Sequence, residues 1–149
     1  ALGYAGGTGA LINMGALRMG LTEEELPDIV NRWRKANPNI VQLWADIGDA
    51  ALSCVQDCQP QQAAGLAFRM ARVNRTPAMT IQLPNGRLLY YIAPQIIEGG
   101  RFNQPSLHYL DASKIDDART IKADSSASRR WGSQLAAMFQ VLFSLIATV

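Results

Sequence analysis

The sequence predicts an α+β fold: several helices, then a small antiparallel β-hairpin or meander, then a C-terminal helix. Three observations predict it. Apolar residues recur at three- and four-residue steps up to about Asp57, the period of one helix face. Beyond Ala64 short apolar runs replace that period. Asn85-Gly86 then separates two such runs, and this dipeptide is the strongest short hairpin signal. The expected organisation is a helical segment over 1–58, a hairpin or meander over 59–110, a polar connection over 111–130 and a helix over 131–149.

The first eleven residues place Gly3, Gly6, Gly7 and Gly9 around Tyr4. Glycine frees the backbone and lets a ligand come close. The plainer reading is a loop joining two helices. No Gly-Lys-Ser/Thr follows, so the stretch is not a Walker loop, and its spacing is not that of a dinucleotide turn. Ala10 to Met19 reads as a short helix closed by Gly20.

Thr22 with Glu25 forms a capping box, and Leu21 with Leu26 a hydrophobic staple. That helix extends to about Ala36, with a local kink expected at Pro27. Asn37-Pro38 suits a cap followed by a first helical residue. Ile40, Leu43, Trp44, Ile47, Ala51 and Val55 then mark one face of a helix to about Asp57. Gln59 to Ala64 reads as a polar connection. Strands are expected over Leu66–Val73, Ala78–Leu83 and Leu88–Ile92, with Pro94 ending the last. Ser106 to Leu110 can add another strand, and Trp131 opens the final helix.

The chain has 149 residues, 48% hydrophobic and 17% charged. That composition suits one globular domain, or part of one. A net charge of +2 permits nucleic-acid binding without demanding it. Cys54 and Cys58 share one helix face if the helix continues. With His108 the single histidine, no zinc site is expected. The apolar stretch Leu135–Val149 is too short for a membrane span, so a core helix is expected. No signal peptide is expected, and the opening on helix-like residues suits a fragment of a larger protein.

Leu2-Gly3-Tyr4-Ala5-Gly6-Gly7, then Gly9-Ala10-Leu11, Met14-Gly15-Ala16-Leu17 and Met19-Gly20-Leu21, resembles phage-type family A DNA polymerases. The likeness continues through Glu23-Glu24-Glu25-Leu26, Trp33-Arg34, Ala36-Asn37-Pro38-Asn39-Ile40-Val41, Leu43 and Trp44. It resumes at Leu83-Pro84-Asn85-Gly86-Arg87, Leu89 and Tyr91, and fades after about Trp131. The resemblance implies a segment from the end of the fingers helix into the palm of an enzyme that adds deoxynucleotides to a primer. The family's two metal-holding aspartate motifs are absent from the sequence. Magnesium, primer–template DNA and deoxynucleoside triphosphates are therefore implied for the parent enzyme, acting in the cytoplasm of an infected or lysogenic bacterium. This chain alone is expected to be inactive, with no catalytic residue and no metal ligand of its own.

By the same resemblance, Tyr4 shapes the pocket for the nascent base pair, and Gly6 and Gly7 let the template backbone approach. Arg87 contacts the primer–template duplex. Arg129 and Arg130 can touch a DNA backbone, or simply be solvated. Two departures stand out. Ala5 occupies a position where the family at large has glycine. The apolar stretch Leu135 to Ile146 replaces Glu-Asn and Arg-Asp pairs that face the duplex minor groove, as a shifted reading frame would. The alternative to a polymerase segment is a small non-catalytic DNA-binding or protein-interaction module.

Overall fold

The computed structural model describes residues 2–98, 105–110 and 128–130; for Tyr4 and 128–130 the description is of the backbone. Of the expected 111–130 connection, 128–130 form a strand instead, paired to a neighbouring strand, while 111–127 and the expected 131–149 helix lie outside the described residues. The α+β class is as the sequence predicts. Two compact units divide within a long helix: one includes Ala1–Ala45, and the other begins at Asp46 and includes every strand.

The first unit opens with a 3-10 turn, Leu2–Tyr4, followed by α1, Thr8–Asn13. The expected helix to Met19 is shorter, and glycine is the cause. Gly15 has φ +91°. Its N–H donates to the Ile12 carbonyl at 2.9 Å, and that of Ala16 to the Leu11 carbonyl at 3.0 Å. This is the Schellman closure, which stops a helix at a left-handed residue. Gly20 (φ +93°) repeats the same pair of bonds after a 3-10 turn, Leu17–Met19, as expected of a cap.

The next helix, α2, spans Leu26–Ala36. Thr22, Glu23 and Glu24 form a turn ahead of it rather than its first turn. One half of the capping box is present: the Thr22 N–H donates to the Glu25 carboxylate at 2.9 Å. The Thr22 hydroxyl donates to the same carboxylate instead of capping a helix N–H. Because α2 starts late, Pro27 occupies its first turn, where no intrahelical N–H bond is lost, so no kink is needed. Leu26 and Val30 are buried. Asp28 and Arg32 pair on the exposed side, a contact of small energetic value.

Asn37 serves the end of α2: its side-chain amide donates to the Trp33 carbonyl at 2.8 Å. The long helix α3 then spans Pro38–Asp57. Within the first unit Trp33 stacks on Trp44, with centroids 6.0 Å apart and planes 10° from parallel. In the second unit α3 buries Ile47, Ala50, Ala51 and Cys54, one stripe at helical spacing. Cys58 follows the helix end with φ +52° and is exposed. The two thiols are therefore not a pair on one helix face.

Six strands form one antiparallel meander in sequence order: β1 Gln61–Ala63, β2 Leu66–Val73, β3 Thr76–Gln82, β4 Leu88–Ile97, β5 Ser106–Leu110 and β6 Ser128–Arg130. The three expected strands and the further one at Ser106–Leu110 are thus four of the six described strands. The presumed connection Gln59–Ala64 contains β1, turned into β2 by Ala64 and Gly65, both at positive φ. Asn74 and Arg75 turn β2 into β3 in the same way. Two successive positive-φ residues define the tight turn that matches strand twist. Pro94 does not end β4. The pairing shifts register between Ile92 and Gln95, with Ala93 at φ +47°. Proline is tolerated at such a bulge because no ladder bond is asked of it.

Strand alternation and register set the faces. Phe68 pairs with Ile81, Met70 with Met79, and Met79 with Tyr91, on the core face. Phe68, Met79 and Ile81 are fully buried there. Tyr91 meets Tyr109 edge-on at 5.1 Å. The outer face carries Arg69, Thr80 and Tyr90 in one cross-strand row.

Candidate nucleic-acid interface

In the first unit, the glycine–tyrosine stretch is a 3-10 turn, a left-handed Ala5 (φ +58°), and a Gly7 that precedes α1 with extended backbone. The Gly7 carbonyl accepts from the N–H groups of Ala10 and Leu11 at 3.1 and 3.3 Å. A Cβ added to Gly7 or Gly9 meets no atom within 4 Å. Packing among the described residues therefore does not demand glycine at those two positions. A Cβ at Gly3 comes 4.0 Å from the Trp33 ring, so the stacked tryptophans lie beside the turn. The Tyr4 side chain is outside the described residues.

Arg87 belongs to the second unit, at the mouth of the β3–β4 hairpin. The loop is Pro84-Asn85-Gly86, and only Gly86 has positive φ, at +83°. Asn-Gly thus works here in a three-residue loop closed by a left-handed glycine. The Asn85 side chain accepts from the Arg87 N–H at 3.1 Å, and the Arg87 carbonyl accepts from Leu83 N–H at 2.9 Å. These bonds fix the Arg87 backbone while its residue stays exposed. Arg129 and Arg130 belong to β6, opposite Tyr109 and His108. Their side chains are outside the described residues.

Sequence reasoning passed over a broader feature. Residues 59–97 contain four arginines, Arg69, Arg72, Arg75 and Arg87, and no Asp or Glu. Residues 1–58 contain seven carboxylates against four cationic side chains. The small net charge conceals this separation. All four arginines are exposed. Counting charge along the chain finds them, although Arg69 and Arg72 lie on opposite faces of β2 and Arg75 in the turn after it.

Two other concave regions lie in the second unit. The pocket between the β1–β2 and β3–β4 loops is lined by Gln62, Gly65, Gln82, Pro84 and Gly86 among others, with no ionisable side chain. A groove beside α3 is lined by Asp46, Asp49 and Ser53 with Gln61 and Gln62, and its carboxylates disfavour a phosphate. Burial, and secondarily Cys58, raises the Cys54 thiol above its ordinary pKa, so it is a core group and not a nucleophile. Burial, then Tyr109, raises Tyr91 in the same way. Among the described residues no group of three His, Cys, Asp or Glu side chains could hold a metal ion, and no helix is long and apolar enough to cross a membrane.

The second unit thus presents exposed arginines on and beside its sheet, and the first a glycine turn open at Gly7 and Gly9 among the described residues. Over 110 residues, 73% of its length, the chain is 44% identical to a protein of Bacillus phage SP02 named DNA polymerase. The chain spans about 16% of that relative's length. No family model matches the chain, and no solved structure matches it.

Proposed function

We propose that the chain is a segment of a template-directed DNA polymerase of family A, running from the end of the fingers helix into the palm. The 44% identity over 110 residues to the phage DNA polymerase carries this reading. In it, Tyr4 ends the nucleotide-selecting helix and offers an aromatic face to a base, a contact that tolerates any base. Gly6 and Gly7 leave room for the template backbone, and the open space around Gly7 supports this. Arg87 supplies a phosphate contact to the primer–template duplex, and Arg129 and Arg130 can add others.

Two magnesium ions would supply the clamp on attacking and leaving oxygens in the parent enzyme. The described residues offer no ligand set for them, so no step is assigned to this chain. Its part is to bind DNA and shape the nucleotide pocket in replication within an infected or lysogenic bacterial cell. By itself it extends no primer.

The flanking gene tests the reading. One open frame with an aspartate-bearing palm segment on each side of residues 1–149 is expected. A start codon at the first residue, a stop after Val149 and no such segments would overturn it. That outcome would favour the second reading, a small DNA-binding module, which the separation of charge between 1–58 and 59–97 supports.

A further inference from the structure

We infer that the outer face of the β2–β3–β4 sheet is a docking surface for single-stranded DNA, with Tyr90 as the base-stacking ring and Arg69 as the phosphate contact. This deepens the DNA-binding part of the function proposed above, but the observations are those of the sheet itself.

Arg69, Thr80 and Tyr90 are direct cross-strand partners. Arg69 and Tyr90 therefore lie about 10 Å apart, two strand spacings. Thr80 between them is buried, and its hydroxyl is committed to the Arg69 carbonyl at 3.0 Å. It forms a low floor between two raised side chains. Tyr90 is 53% exposed and Leu88, two residues earlier on the same face, is 43% exposed. Leu88 and Tyr90 thus leave an apolar strip open beside the cationic row.

Charge selects the occupant. Arg69 is exposed on the same row, Arg87 adjoins Leu88 at the hairpin mouth, and no carboxylate occurs from residue 59 to 97. An acidic polymer is the complementary partner. The ring selects its form, because a base can stack on Tyr90 only if its own face is free. Base faces are hidden inside a duplex and available in a single strand. An apolar protein partner would leave Arg69 and Arg87 without counter-charge.

The test uses the full 149-residue chain and fluorescein-labelled (dT)15, followed by anisotropy. Tyr90→Phe keeps the ring and should bind like the parent chain. Tyr90→Leu removes stacking and should weaken binding roughly tenfold, within the range of one lost base–aromatic stack. Arg69→Gln should lower the slope of log affinity against log salt by about 0.7. Photo-cross-linking with 5-iododeoxyuridine in the oligonucleotide should label the peptide containing Tyr90. The inference is overturned if Tyr90→Leu melts like the parent chain and binds (dT)15 equally well, or if a duplex of equal phosphate number binds more tightly. A chain that binds no oligonucleotide, with aspartate segments flanking it in the gene, would sink this inference and leave the polymerase reading standing.

Discussion

Six non-glycine residues among those described hold left-handed backbone. Ala5, Cys58, Ala64, Asn74, Arg75 and Ala93 all have positive φ. Only asparagine accepts that region readily; elsewhere a Cβ crowds the following carbonyl at roughly 1–2 kcal/mol. Ala5 is informative because it replaces the glycine that the resemblance leads one to expect, while the backbone keeps the glycine-type conformation. Ala5→Gly should relieve the strain, less about 0.5–1 kcal/mol of added chain entropy, for a net gain of about 0.5–1 kcal/mol. A urea midpoint that stays in place would refute the strain assignment. Arg75→Gly, which creates an Asn-Gly turn between β2 and β3, should also raise the midpoint. If it lowers the midpoint, Arg75 is held by something other than turn geometry.

At the scale of elements, short-range signals set where helices start and stop, and one at the start of α2 carries a pH dependence. Hydrogen bonds from Thr22, first from its N–H and then from its hydroxyl, hold the Glu25 carboxyl below its ordinary pKa of 4.5. A depressed pKa stabilises the fold above the unfolded value, and the contribution disappears as pH falls through the folded value. The parent chain should therefore melt above Glu25→Gln near neutrality, and the gap should close below about pH 4.5. A gap that persists unchanged to about pH 3 would show that the charged form is not what the Thr22 bonds favour. The same local logic explains the helix ends. Gly15 and Gly20 each close a turn with the same two bonds, and only the second was legible as a cap. Gly15 was missed because Met14 and Leu17 continue an apolar helical spacing across it.

For the molecule as a whole, the sheet's core face supplies several of the largest fully buried side chains among the described residues. Phe68 is fully buried and paired with Ile81. Phe68→Ala should cost about 3–5 kcal/mol, a large share of the roughly 5–15 kcal/mol available to a domain. Leu88→Ala, on the exposed outer face, should fall within about 0.5 kcal/mol of the parent. Comparable losses at both sites, read by thermal unfolding, would mean that the outer face is covered. The charge distribution belongs to this scale too. Carboxylates gather in 1–58 and unopposed arginines in 59–97, so binding of a polyanion should concentrate on the second unit.

Apolar spacing together with cap and turn residues determined the α+β class, the end of α2, the extent of α3 and the core of the strands from Leu66 to Ile92. Spacing reports which face is buried, and turn residues report where the chain reverses; the late start of α2 was not legible. The Gly-Tyr stretch and Arg87 were legible as candidates through resemblance. Only the tertiary structure decided the rest. β1 and β6 are three-residue strands with no apolar pattern, and each exists because a neighbouring strand supplies its hydrogen bonds. β4 passes through Pro94 because β5 accommodates a bulge there. The row Arg69–Thr80–Tyr90 joins residues separated by ten or more positions, and register across three strands, which no local pattern encodes, is what brings them onto one face.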